Sequence, residues 1–306
     1  MLNTAINWLA GLLQPLKVWG LRRFYRLESA WNWRRDGCSM PHLDMRIPVG
    51  DVAIGARLYV NALGANRPLI LYIHGGGWVI GDLQSHHPFC RALAHHSGCS
   101  VIALDYRLAP EHPFPAAQDD CLAAAAWVAE RAAELAPCNG KLVIAGDSAG
   151  GNLASCTCLE LAESARDKFI GAVLIYPATD HYSVARASYT EKATGQALTT
   201  GLLQWFWDNY LGGKSPDDPG LQRAFPLRAD NTAYLPPTLL VTAENDPLRD
   251  EGIAFAELLC QQGVPVDYHH FDDADHGFAC GHGPTRDFRV FIGQLDSWLR
   301  QLEANN

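Results

Sequence analysis

A hydroxyl side chain attacks a carbonyl only when a base takes its proton, an acid orients that base, and hydrogen-bond donors receive the charge that develops on the substrate oxygen. The chain holds candidates for each part. Ser148 sits in Gly146-Asp147-Ser148-Ala149-Gly150-Gly151, a G-x-S-x-G frame. The apolar, β-favouring Lys141-Leu142-Val143-Ile144 precedes it, and an Ala- and Leu-rich run from Asn152 to about Leu161 follows. Ser148 is therefore expected at a sharp strand-to-helix turn, with its Oγ pushed out above a sheet. The dipole of the following helix favours negative charge at that point.

The candidate base is His276, in Asp275-His276-Gly277-Phe278. It follows the last strand-like run, and Gly277 permits a close approach. The chain has twelve histidines. The pairs His86-His87, His95-His96 and His269-His270 read as surface or strand residues, and His282 is the fallback base. The candidate orienting acid is Asp246, on the loop after the run from Thr238 to Ala243. Nearby, Asp250 and Glu251 read as opening a helix, where a carboxylate offsets the dipole, and Glu244 reads as a ligand or a buried partner. The oxyanion donors are expected to be the Ala149 amide plus one or two amides of His74-Gly75-Gly76-Gly77, because successive glycines leave backbone N–H groups unobstructed. His74 reads as a structural hydrogen-bonder. No phosphate-loop pattern accompanies these glycines, and no ligand set of accepted metal spacing is present.

These residues need elements to hold them. Residues 43–49 and 53–60 read as a hairpin closed near Gly50-Asp51. Leu69-Ile70-Leu71-Tyr72-Ile73, Ser100 to Leu104, and Ala172 to Tyr176 are continuous apolar runs typical of strands buried on both faces. Helices are expected from Ala116 to about Leu135, from Glu251 to Gln262, and from Phe288 to Leu302, with a last strand from Val266 to Phe271. The alternation predicts an α/β fold with a parallel sheet covered on both faces. Residues 180–230 break the rhythm and read as an insertion, with a helix around Trp205 to Leu211.

Residues 1 to about 40 read as helical. Trp8, Leu9, Leu12, Leu13, Leu16, Trp19, Phe24, Leu27 and Trp31 recur at helical spacing, and Arg22, Arg23, Arg26, Arg34 and Arg35 supply a polar side. This stripe is expected to pack on the rest of the protein. The alternatives are a lid over an apolar site and a helix at a membrane surface.

The chain has 306 residues and a net charge of −9. That length suits one large α/β domain or two small ones, and the acidic balance argues against nucleic acid. Nine cysteines at irregular spacing read as reduced and mostly buried; Cys156 and Cys158 point to different sides of one helix. Met1 to Leu13 has no basic start, no cleavage site and too little length to span a bilayer. The expectation is a cytoplasmic protein without membrane contact.

Five segments in matching order carry a family resemblance. They are His74-Gly75-Gly76-Gly77-Trp78, Asp105 through Pro115, Gly146 through Asn152, Asp246 through Gly252, and Asp275 through Phe278. Over roughly residues 43 to 300 the chain resembles the hormone-sensitive-lipase family of α/β-hydrolases, in its Gly-Asp-Ser-Ala-Gly subgroup of bacterial esterases. Tyr25-Arg26-Leu27-Glu28 with Trp31-Asn32 is also similar to the start of acetyl esterases. The order Ser148, Asp246, His276 matches the nucleophile–acid–base order of that fold. The resemblance implies a mostly parallel eight-stranded sheet flanked by helices. It divides the chain into an N-terminal cap segment (1–42), a catalytic domain (43–179 and 231–306) and a cap insertion (180–230). It implies a Ser148–Asp246–His276 triad and an oxyanion hole of Gly75, Gly76 and Ala149. Supporting roles fall to His74, Gly77, Asp147 and Glu251. Activity on short-chain acyl esters is implied, in a monomer or homodimer without metal or organic cofactor. Rival readings are an amidase or lactonase with the same triad, a lipase that works at a membrane surface, and a non-catalytic regulatory binding protein on a hydrolase scaffold.

Overall fold

A computed structural model describes residues 14–195 and 197–305. The described residues open with helix α1 (Gln14–Asn32) and continue through β1 (His42–Val49), β2 (Val52–Tyr59), β3 (Leu69–Ile73), α2 (His87–Ser97) and β4 (Val101–Asp105). Next come α3 (Ala116–Leu135), β5 (Leu142–Asp147), α4 (Ala149–Glu160), the short α5 (Glu163–Arg166) and β6 (Phe169–Ile175). The segment after β6 carries α6 (Ala187–Glu191) and α7 (Thr200–Leu211), and the chain closes with β7 (Thr238–Asn245), α8 (Arg249–Gln261), β8 (Val266–Asp275) and α9 (Arg286–Ala304).

The strands form one eight-stranded sheet in the order β1-β2-β4-β3-β5-β6-β7-β8. The β1–β2 and β2–β4 pairs are antiparallel, and the remaining pairs are parallel. The apolar runs explain the layering. Because successive strand residues point to opposite faces, Leu69, Leu71 and Ile73 join one core with α3, α4 and α8, whereas Ile70 and Tyr72 join the other with α2 and α9. Helix α9 shows how pattern becomes packing. Phe288, Phe291, Leu295, Trp298, Leu299 and Leu302 recur at three- and four-residue steps and are all buried, while the Thr285 side chain caps the first turn by accepting from the Phe288 amide.

Several expectations shift. Strand β6 begins at Phe169, and β8 runs on to Asp275, so His276 leaves the sheet directly. Helix α2 was not foreseen, because its His- and Pro-containing start lacks a side-chain cap signal. The largest departure is α1. Its body-facing side is Val18, Leu21 and Ser29, while Leu16, Trp19, Leu27 and Trp31 are 53%, 63%, 62% and 61% exposed. The expected stripe therefore faces outward. Trp8, Leu9, Leu12 and Leu13 lie outside the described residues. The nine cysteines are all unpaired, six of them buried. Among the described residues no helix is long and apolar enough to cross a membrane.

Candidate active site

Ser148 stands between the end of β5 and the first residue of α4 with φ 55° and ψ −120°, a conformation that side chains rarely adopt. Its amide donates to the Ile175 carbonyl at 2.8 Å, which ties the turn to the neighbouring strand. The turn closes only because its neighbours are small. A Cβ on Gly150 would stand 2.0 Å from the Ile73 carbonyl oxygen.

Three strand ends bring the reactive groups together. The His276 Nδ1–H donates to Asp246 Oδ2 at 2.6 Å, which leaves Nε2 free to accept from the Ser148 hydroxyl at 3.0 Å. Asp246 is fully buried, and its other oxygen accepts the Leu248 amide at 2.8 Å. The Tyr176 ring packs 4.7 Å from the imidazole. A small cleft opens beside Ser148. Its walls are mostly apolar and include Trp78, Ile80, Leu203, Phe206 and Leu248, with Tyr25 contributed by α1.

The glycine loop corrects one expectation. The Gly75 amide is occupied: it donates to Asp147 Oδ1 at 2.8 Å, and a Cβ there would lie 2.4 Å from Asp147 Oδ2. Gly76, Gly77 and Ala149 line the cleft instead. Asp147 also accepts from the Tyr72 hydroxyl. Burial opposes its ionisation, but His86, the Tyr72 hydroxyl and the Gly75 amide together hold its carboxyl below the usual range. His86 was expected at the surface or in a strand. It is buried, with Nε2 3.7 Å from Asp147, because α2 turns it inward at its first turn. His74 stacks between Tyr106 and His86 at centroid distances of 4.3 and 5.2 Å. Its Nδ1 meets the Gly75 carbonyl at 2.7 Å, and burial next to His86 brings the imidazole down to about 4. His74 is therefore neutral near pH 7.

Glu251 is also not the dipole partner expected at a helix start. It is fully buried and accepts the Thr179 and Asp180 amides at 2.6 and 3.3 Å, together with the Tyr189 hydroxyl of α6. Glu244 is half-exposed and pairs with Lys192, Arg249 and His270. His282 is not among the residues that line this cleft; it lines a neighbouring pocket beside His276 and Gly277. Tyr25, Tyr176, Phe206 and Cys280 were not foreseen as cleft residues. Only Tyr176 carried a signal, as the last residue of an apolar strand next to the nucleophile strand.

A fold of this order, with its polar constellation at the carboxyl edge of the sheet, has known counterparts. The model of the α/β-hydrolase fold matches residues 70–280. The carboxylic ester hydrolase LipN of Mycobacterium tuberculosis is 39% identical over 77% of this chain and 63% of its own length. The ethyl acetate hydrolase of Pseudomonas putida is 38% identical over 80% of this chain and 73% of its own. Among solved structures, a thermophilic carboxylesterase cloned from a metagenomic library superposes with a TM-score of 0.85 at 36% identity, covering 93% of this chain and 97% of that one. The chain belongs to the α/β-hydrolase fold family, in its hormone-sensitive-lipase group of carboxylic ester hydrolases.

Proposed function

We propose that the protein is a serine carboxylesterase that cleaves short-chain acyl esters through an acyl-enzyme. The observation that carries this reading is the unbroken hydrogen-bond chain Asp246–His276–Ser148 opening on a small apolar cleft. His276 takes the Ser148 proton as Oγ attacks the ester carbonyl, and Asp246 holds the imidazole in the tautomer that allows this. The amides of Gly76, Gly77 and Ala149 receive the oxyanion, in place of the Gly75, Gly76 and Ala149 set. Protonated His276 then gives its proton to the leaving alcohol. Water, activated by the same base, attacks the acyl-enzyme and releases the acid. Helix α1, through the inward Tyr25, and the segment of α6 and α7, through Leu198, Leu203 and Phe206, act as a cap over the cleft, so the inner faces of the segments 1–42 and 180–230 would set acyl length. The relative named ethyl acetate hydrolase supports a small acyl group.

The test is hydrolysis of p-nitrophenyl esters from acetyl to palmitoyl, by wild type and Ser148→Ala in parallel. Turnover confined to short chains, and roughly 10⁶-fold lower in the variant, is the expected result. Full turnover by Ser148→Ala would sink the scheme. Cleavage of anilides but not esters would replace it with an amidase.

A further inference from the structure

The outer face of α1 has no role in the catalytic scheme. On a helix with 3.6 residues per turn, Leu16, Trp19, Arg23, Leu27 and Trp31 fall within one sector of about 120°. Among them, Leu16, Trp19, Leu27 and Trp31 are each more than half exposed. The opposite sector already completes the contact with the body. Val18 and Leu21 are buried there, and Arg22 donates to the Val79 and Ala109 carbonyls and pairs with Glu111. The fold therefore does not need the outer apolar residues.

Their neighbours give the face its chemistry. The Arg23 guanidinium lies 5.8 Å from the Trp19 ring, and that of Arg34 lies 3.9 Å from the Trp31 ring. Arg35 adds charge nearby, and none of these three cations has a carboxylate partner among the described residues, whereas Lys17 turns to the Trp205 ring of α7 at 4.9 Å. This cationic, tryptophan-bearing strip lies on a chain whose net charge is −9. Tryptophan and leucine interleaved with arginine on one side of a helix suit the boundary between headgroups and acyl chains, and the local charge suits anionic lipid.

We propose that the outer face of α1 docks on an anionic lipid surface. The acidic body orients the molecule with this strip toward the membrane. Tyr25, on the inner side of the same helix, lines the cleft, so docking sets α1 between the lipid and the cleft, with the cleft about one helix diameter from the surface. This runs against the expectation of no membrane contact.

The experiment is co-sedimentation of the full chain with vesicles of phosphatidylcholine, with and without phosphatidylglycerol, at low and high salt. The variants are Trp19→Ala/Trp31→Ala and Arg23→Glu/Arg34→Glu, with p-nitrophenyl acetate turnover and thermal melts as controls for folding. Wild type is expected to bind the anionic vesicles more tightly at low salt, and each variant to bind them about tenfold or more weakly. Soluble-ester turnover is expected to stay within about twofold, since none of these residues lines the cleft. Equal binding by wild type and variants, or none by either, would overturn the proposal. So would binding that ignores lipid charge. A wild-type dimer in light scattering that the tryptophan variant dissolves would assign the face to contact between copies instead. Because sedimentation reads no chemistry, failure here is distinct from failure of the esterase reading.

Discussion

At the scale of single residues, Asp147 shows how a side chain next to the proposed nucleophile, Ser148, can act at a distance from it. One of its oxygens holds both the Gly75 amide and the Tyr72 hydroxyl, so it fixes where Gly76 and Gly77 begin. The charge matters because an ionised carboxylate accepts both bonds more strongly than a neutral amide does. Asp147→Asn keeps the shape and removes the charge. It is expected to lower kcat by about 10- to 100-fold with little change in KM, since a misplaced oxyanion loop weakens the transition state more than the ground state. Steady-state kinetics on p-nitrophenyl butyrate would check this. A raised KM at constant kcat would instead mean that Asp147 shapes the binding cleft.

At the scale of elements, α7 is the part that gives the cleft its size. Its N-cap Thr199 accepts the Leu202 amide at 3.2 Å, and Gly212 ends it in a left-handed conformation. Between these stops the helix presents Leu203 and Phe206 to the cleft. Phe206 lies against Gly77 so closely that a Cβ on the glycine would fall 2.1 Å from its ring. Against Gly77 the cleft is therefore bounded by an aromatic side chain. Phe206→Ala is expected to shift the preferred acyl chain upward by several carbons in the p-nitrophenyl series. It should also cost roughly 3 kcal/mol of stability, because the ring is almost fully buried. An unchanged chain-length profile would move the acyl pocket to another part of the cleft.

At the scale of the whole molecule, Glu251 joins the sheet domain to the segment that follows β6. It stands on α8 and binds backbone at residues 179 and 180 and the Tyr189 hydroxyl on α6. Burial outweighs these bonds and lifts its carboxyl from 4.5 to about 8. The sign follows from proton uptake. Between these two values the unfolded chain has released the proton while the native protein keeps it, so stability falls as pH rises. The slope is at most about 1.4 kcal/mol per pH unit for one group. Glu251→Gln keeps an acceptor for the two amides and cannot ionise. Urea melts from pH 5 to 8 are therefore expected to show a flatter stability profile for the variant than for wild type. Parallel profiles would mean that Glu251 is ionised in the native state.

The same residues mark the division between what is local and what is not. Ser148, Asp246 and His276 were legible because each sits at the end of an apolar run, and strand ends of a parallel sheet share one edge whatever the loops do. The order of strands and helices was legible for a related reason: periods of 2 and 3.6 are properties of neighbouring residues. The tertiary structure decided the rest. Which glycine amide is occupied depended on Asp147, 72 residues away along the chain. Whether Glu251 met solvent or Tyr189, and whether His86 lay outside or against Asp147, depended on elements arriving from elsewhere. Helix α1 is the clearest case. Its apolar spacing is helical in any setting, but a helix with apolar residues on two sides has two faces to bury. Only the completed body, with Arg22 bound to the Val79 and Ala109 carbonyls, determined that Val18 and Leu21 turned inward and left Trp19 and Trp31 outside.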